Sequence, residues 1–473
     1  MQDIGQKLIE SLLTQDGPSG SVEDVLAWIR RRNEEVSVRV APVPFRALKE
    51  WTFHPQTGNL CHKTGKFFSI EGIRVVVDDG ARREWEQPII NQPEVGFLGI
   101  LTKIIDGTLC FLMQAKIEPG NLNHVQLSPT LQATRSNYTQ VHQGRKPLYL
   151  EFFHNVRPST ILLDQLQSEQ GSRFLRKRNR NIVLLTDEDV AINEDYRWLT
   201  LGQIKALMNY DNVVNMDTRT VISGLSFRQF LVSLSDTAYN HFMDLYGVGG
   251  GGQAMFESEL ARVGINTIDE ILHWLSSLKS RYELLVDRIP LHEVAEWQVT
   301  QDEIVRPDRQ YFRVLGAEVF IENREVRSWG QPLVEPMQEG ICAFIIKKMS
   351  GVFHFLVQAK IECGNFDVVE MAPTVQCLTG RYQGAGSVQP PFLNYVLNAS
   401  GDQILFDTKQ SEEGGRFYRE QNRNLVVEAG DDFPDQVPEN FCWLTLGQLK
   451  EFLRFNNYLN IQARSLIAAL KFG

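Results

Sequence analysis

Cysteine is scarce in this chain and scattered. The six residues (Cys61, Cys110, Cys342, Cys363, Cys377, Cys442) include no CxxC or CxxH pair. Neither a zinc-finger spacing nor a disulfide framework is expected, and a reducing cytoplasm suits such a chain. Long apolar runs are also missing: none approaches the ~18–20 residues that cross a bilayer. The N-terminus carries Asp3 and Glu10 without an apolar core, so a signal peptide is not expected. There is no basic surplus either. Lys and Arg number 48 against 58 Asp and Glu, a net charge of −10. That balance argues against a broad nucleic-acid surface while leaving room for a local basic pocket. HExxH, GxSxG and a strand-linked GxGxxG are all absent. The nine histidines do not recur between the two halves of the chain, so no duplicated histidine triad or metal centre is expected. What remains has the composition of an ordinary soluble protein, 43% hydrophobic and 22% charged over 473 residues.

What the chain does have is repetition. Gln114-Ala-Lys-Ile-Glu-Pro-Gly-Asn121 returns as Gln358-Ala-Lys-Ile-Glu-Cys-Gly-Asn365, each after an apolar run. Trp85-Glu-Gln-Pro88 returns as Trp329-Gly-Gln-Pro332, and Pro129-Thr-Leu-Gln132 as Pro373-Thr-Val-Gln376. Ser168-Glu-Gln-Gly-Ser-Arg-Phe174 is matched by Ser411-Glu-Glu-Gly-Gly-Arg-Phe417, and Trp-Leu-Thr-Leu-Gly-Gln occurs at 198–203 and 443–448. The spacing divides the chain into an N-terminal arm at 1–20, a first repeat at 21–225, a linker at 226–266 and a second repeat at 267–473. Each repeat is too long for a solenoid unit. Within the linker, 226–245 reads as a helix, and Gly247-Val-Gly-Gly-Gly-Gly252 as a flexible joint; it lacks the Gly-Lys-Ser/Thr ending of a phosphate loop. Ser21 is an N-cap candidate, and Thr200 with Gln203 and Thr445 with Gln448 fit capping boxes.

The apolar run ahead of each Gln-Ala-Lys-Ile-Glu predicts a strand leaving a buried sheet. Alternate side chains then share a face, so Gln114, Lys116 and Glu118 form one row, as do Gln358, Lys360 and Glu362. Burying an amide, an ammonium and a carboxylate together is costly unless they pair or meet a ligand. The row is either a pocket floor, with the glutamate moving protons and the lysine steadying negative charge, or an exposed edge strand with an internal ion pair. Arg173, Arg176 and Arg180, and likewise Arg416, Arg419 and Arg423, fall at i, i+3, i+7. On a helix each trio would line one face, as a phosphate clamp or as an ordinary solvated surface. Trp85, Trp329, Tyr138 and Tyr382 are candidates to stack on a nucleobase, although a buried tryptophan is the commoner role.

The paired Gln-Ala-Lys-x-Glu-x-Gly-Asn motifs, each followed by Pro-Thr-x-Gln, resemble the NDP-hexose 2,3-dehydratases over nearly the whole chain. The resemblance implies an α+β fold, a tandem duplication of a Nudix-hydrolase-like domain, in a chain that dimerises. The catalytic Nudix box is missing from both halves, which disfavours metal-dependent diphosphate hydrolysis. The implied substrate is dTDP-4-keto-6-deoxyglucose, with no cofactor and no metal, and the product is a 3,4-diketo sugar for a partner ketoreductase to consume. Under that implication Glu118 or Glu362 shuttles the proton, with Glu169 and Glu412 as rival bases. Lys116 or Lys360, with Gln114 or Gln358, polarises the ketone, and Tyr138 or Tyr382 assists. The arginine trios would hold diphosphate. Asn121, Thr130, Gln132 and Arg135, with Asn365, Thr374 and Gln376 in the second copy, and Trp85 and Trp329 complete the expected substrate contacts. Two other classes fit the same residues, a sugar-nucleotide binder without activity and a divergent Nudix-type hydrolase.

Overall fold

The structure, a computed structural model, describes residues 2–134, 146–154, 156–228, 239–240, 243–244, 248–261, 263–324, 326–379 and 389–472. It is an α+β fold rich in sheet. Two seven-stranded sheets repeat one plan. In the first, Thr108–Ile117 pairs with Gly96–Ile105, which runs parallel to Arg178–Leu185, and Ile161–Ser168 closes that side. In the second, Val352–Lys360, Gly340–Met349, Gln421–Ala429 and Ile404–Ser411 follow in the same order.

The apolar alternation of these strands sets their burial. In Thr108–Ile117 the run from Leu109 to Met113 is wholly inside, as expected of a strand covered on both faces. The segment after it breaks at Pro129, as the sequence suggests. Val125–Ser128 pairs with Thr108–Ile117, and after the proline Leu131–Ala133 pairs with Gly96–Ile105 instead. The proline, lacking an N–H, sits where the chain changes neighbours.

Helix ends follow their caps. Ser21 and Asp24 form a capping box on Val22–Glu35, as do Thr267 and Glu270 on Ile268–Arg281. The Thr200–Gln203 and Thr445–Gln448 boxes are both present. The glycine run departs from expectation: Gly250–Leu260 is a helix. Ser258 on that helix donates to the Phe353 carbonyl at 2.6 Å, just as Ser11 on Gln2–Leu13 donates to the Leu109 carbonyl at 2.6 Å. Burial of Ala254, Met255 and Phe256 against the sheet outweighs the poor helix propensity of the leading glycines. Most of the helix expected at 226–245 lies outside the described residues.

The two remaining sheets are exchanged between the halves. Val38–Val43, from the first repeat, pairs with Phe312–Ile321 of the second. Reciprocally, Glu283–Ile289 of the second pairs with Ser69–Asp78 of the first. The turns are interlocked as well. The Gly120 N–H donates to the Gly414 carbonyl at 2.7 Å, and the Arg419 N–H to the Gly120 carbonyl at 2.7 Å. The mirror pair is Gly364 to Gly171 at 2.6 Å and Arg176 to Gly364 at 2.8 Å. Arg219 and Arg464, both fully buried, reach across to the carbonyls of Ser411 and Ser168. Each Glu-x-Gly-Asn turn therefore docks against the Ser-Glu-x-Gly turn of the other half.

Candidate active site

At the end of the strand Thr108–Ile117 a cavity of about 800 Å³ opens. Gln114, Lys116 and Glu118 all line it, so the alternate-residue row predicted from the sequence does face one hollow. Lys116 Nζ lies 3.7 Å from Glu118 Oε1, with both side chains buried. Gln132 Nε2 donates to the same oxygen at 2.9 Å. Glu118 Oε2 is buried without a hydrogen-bond partner. An unmatched buried carboxylate oxygen is costly unless something else engages it; the matching Glu362 Oε2 of the second half is unpartnered too, but Glu362 does not line this cavity.

The far wall comes from the second repeat. Trp329, Gln331, Glu413, Gly415 and Arg416 line the same cavity, as do Glu322, Asn323, Arg324 and Arg327 at its rim. Asn323 Nδ2 donates to Asp195 Oδ1 of the first repeat at 3.2 Å, so the two halves are bridged where both residues line the cavity. Trp51, Phe67 and Phe68 form an aromatic side; the Trp51 and Phe68 rings are 4.7 Å apart. The Arg416 guanidinium lies 4.2 Å over the Phe68 ring and donates to Gln92 Oε1 at 3.2 Å.

Buried acids crowd one end. Asp217, on the helix Met216–Ser223, lines the cavity with Glu169 and Glu413, and its Oδ1 has no partner. Burial, aided by the charges of Glu413, Glu169 and Glu118, holds the Asp217 carboxyl well above the usual carboxylate range. Burial also pushes Glu413 up to about 8, with Arg416 and Lys177 opposing and Glu118 and Glu169 reinforcing. Glu169 is raised mainly by burial, although Asn179 Nδ2 donates to it at 2.5 Å. Burial lowers Lys177 to about 8, and its ammonium donates to the Glu94 carbonyl. Such displaced values are concentrated where protons are moved.

Other expected contacts have other occupations. The Thr130 hydroxyl donates to the Leu112 carbonyl and accepts from the Leu101 N–H at 2.9 Å; Thr374 does the same with Leu356 and Ile345. These threonines lace strands together. Asn121 and Asn365 sit in the interlocked turns, with Asn121 Nδ2 donating to the His124 carbonyl at 2.7 Å. The arginine trios are not helical. Arg180 and Arg423 lie on strands and pair outward with Asp164 and Asp407 at 2.5 and 2.6 Å. Arg176 and Arg419 occupy left-handed turn positions, φ 47° and 54°. Pairing of the apolar run Ile182–Leu185 into a sheet overrides the i, i+3, i+7 pattern. Arg173 mirrors Arg416, with its guanidinium 4.2 Å over Phe312. Trp85 donates to Gln87 at 2.9 Å, beside a different apolar cluster from the cavity wall. In the second repeat, Lys360 Nζ donates to the Gln376 carbonyl at 3.3 Å, and Gln358 Nε2 to the Pro373 carbonyl at 2.8 Å. Gln376 Nε2 donates to Glu362 Oε1 at 3.1 Å, and burial raises Glu362. Arg135, Tyr138 and Tyr382 lie outside the described residues.

A model of the NDP-hexose 2,3-dehydratase family matches residues 22–225 and again 268–470. The chain belongs to that family. It is 44% identical over 466 residues to the dTDP-4-dehydro-6-deoxy-alpha-D-glucopyranose 2,3-dehydratase of Saccharopolyspora spinosa, covering 98% of this chain and 94% of the relative. Enzymes of the same description from Amycolatopsis orientalis and Streptomyces violaceoruber are each 42% identical, over 474 and 450 residues. They cover 99% and 94% of this chain, and 94% and 96% of the relatives. The matches thus span nearly the full length of each relative. Among the described residues no helix is long and apolar enough to cross a membrane.

Asp217, Glu413 and Lys177 escaped the sequence reading because it followed what the repeats share. Their counterparts are Gln462, Gln170 and Glu420. The signal lay in the differences: at these three places the two copies carry an acid against an amide, an acid against an amide, and a lysine against a glutamate.

Proposed function

We propose that the enzyme takes dTDP-4-dehydro-6-deoxyglucose into the first repeat's cavity and removes water across carbons 2 and 3. The observation that carries this is the convergence of Gln114, Lys116 and the unpartnered Glu118 Oε2 on one buried hollow. Carbon 3 is next to the carbon 4 ketone, so loss of its proton to the Glu118 carboxylate gives an enolate. Lys116 and Gln114 steady the oxygen that becomes negative; one preorganised donor of this kind is worth about 3–4 kcal/mol in a water-excluding site. The carbon 2 hydroxyl, β to the ketone, then departs, and the resulting enol relaxes to a 3,4-diketo-2,6-dideoxy sugar. Arg416 offers charge for the nucleotide's diphosphate, and the half-buried Phe67 an aromatic surface for its base.

Nudix-like architecture in each repeat, a homodimeric assembly and a ketoreductase acting next belong to the same proposal and rest on the family resemblance, while a cytoplasmic location rests on the scattered cysteines. The test is incubation with the keto sugar in heavy water. Deuterium entering the sugar together with loss of the mass of one water is expected. Unchanged sugar would make the protein a binder. Release of nucleoside monophosphate on adding magnesium would make it a hydrolase.

A further inference from the structure

Dehydration needs two proton movements, and the hollow's polar row supplies only one. The departing hydroxide is a poor leaving group unless it receives a proton as the carbon–oxygen bond breaks. The donor must be protonated near neutrality, face the cavity, and stand close to the base without being the base.

The wall contributed by the second repeat meets these conditions. An ideal side chain begun at Gly415 would have its Cβ 2.5 Å from Glu413 Oε1 and 3.6 Å from Glu118 Oε1. Two carboxyl oxygens from different repeats thus converge on space that a glycine leaves empty. In the other half the residue matching Gly415 is Ser172, and the residue matching Glu413 is Gln170. The acid and the opening occur together on one side only. Asp217 lies on the opposing helix, also lining the cavity with an unpartnered buried oxygen, and Gln462 takes its place in the second repeat.

We propose that Glu413, delivered by the second repeat into the first repeat's cavity, is the acid that protonates the hydroxyl leaving carbon 2. The assignment rests on the dehydration reading of this cavity. The Glu118 carboxylate takes the carbon 3 proton, and the carbon–hydrogen electrons become the enolate. Those electrons then form the carbon 2–carbon 3 double bond as the carbon 2–oxygen bond breaks, and Glu413 converts the hydroxide to water. Glu118 returns its proton to carbon 2 as the enol relaxes, and the enol hydroxyl's proton restores Glu413. No oxidant or further reactant is needed. The groups facing Glu413 are Glu118 and Lys116 from the strand end, Glu169 and Lys177 from the turn between Ile161–Ser168 and Arg178–Leu185, Asp217 from the helix, and Arg416 on its own loop. The burial that favours its protonated form is described above.

The test is Glu413→Gln in the full-length enzyme, assayed in heavy water for deuterium at carbon 3 of recovered substrate and, separately, for loss of water. Gln170 occupies the matching turn, so glutamine fits the fold; a melting temperature no lower than the wild type's checks this. The expected result is continued deuterium wash-in with elimination reduced about 10²-fold or more. Full elimination in the variant overturns the proposal, as does equal loss of wash-in and elimination, which would make Glu413 part of proton abstraction. Glu118→Gln in parallel keeps the two readings apart. If it still exchanges carbon 3, the assignment of the base fails, whatever Glu413 does.

Discussion

Replacing Gly120 by alanine tests how the halves are held together. Its φ is not in the left-handed region; glycine is required there by space. An added Cβ would stand 1.6 Å from the Phe417 carbonyl oxygen, 2.7 Å from the Phe417 carbonyl carbon and 2.8 Å from the Gly414 oxygen. A carbon and a carbonyl oxygen rest at about 3.3–3.6 Å, so the two backbones must part by roughly 1.7–2 Å. That lengthens the Gly120–Gly414 and Arg419–Gly120 hydrogen bonds beyond use, at about 1 kcal/mol each. Strain in the surrounding core adds about 1–3 kcal/mol. A destabilisation of about 3–5 kcal/mol is expected, read as an earlier unfolding midpoint in denaturant. Because Glu118 is two residues away, activity at low denaturant should fall by about 10²-fold, the cost of misplacing a reacting group by about 1 Å. Gly251→Ala is the control. Nothing lies within 4 Å of its Cβ position on the helix Gly250–Leu260, so stability should rise by up to about 1 kcal/mol. A Gly120→Ala protein that unfolds with the wild type would refute the interlocked turns.

Further outcomes follow from the same geometry. Glu118→Gln should lower kcat by about 10²–10⁴-fold while Glu362→Gln leaves it nearly intact; matching losses on steady-state assay would place chemistry in both halves. Arg180→Ala should leave KM within about twofold, because its guanidinium is engaged with Asp164 at a partly exposed site where such pairs carry little energy. Arg416→Ala should raise KM at least about tenfold if a charged contact to diphosphate is lost. The pH profile of kcat/KM, which reports groups of the free enzyme, should decline as pH rises through about 8, where Glu413 gives up its proton. Stability should move the same way. Glu412 and Glu413 are both raised to about 8 by burial, so the folded chain holds protons that the unfolded chain has already released. Denaturation midpoints should therefore fall as pH climbs from the ordinary carboxylate range towards about 8; a flat or rising dependence counts against those protonated acids.

Much of this was legible in the sequence because it was written locally. The alternation Gln114, Lys116, Glu118 placed three polar groups on one side of a strand, and the cavity lies there. The Thr200–Gln203 and Thr445–Gln448 caps started helices where their spacing said they should. The arginine trios misled because their period matches a helix, while the adjacent Ile182–Leu185 run belongs to a sheet. Local patterns also carry no partner information. Nothing in Val38–Val43 announces that its neighbour is Phe312–Ile321, and so nothing announced that Glu413 would face Glu118.

The docking of each half's turn against a turn of the other half has a bearing on how the chain could diverge. Two identical separate subunits meeting in this way would be obliged to carry the same residue at the places now held by Gln170 and Glu413, and any change would alter both turns at once. Covalent fusion lifts that obligation. One turn can then keep its acid and its gap at Gly415 while the other carries an amide and a hydroxyl at Gln170 and Ser172. Asymmetry of chemistry inside a symmetric frame is what a single gene for both halves permits.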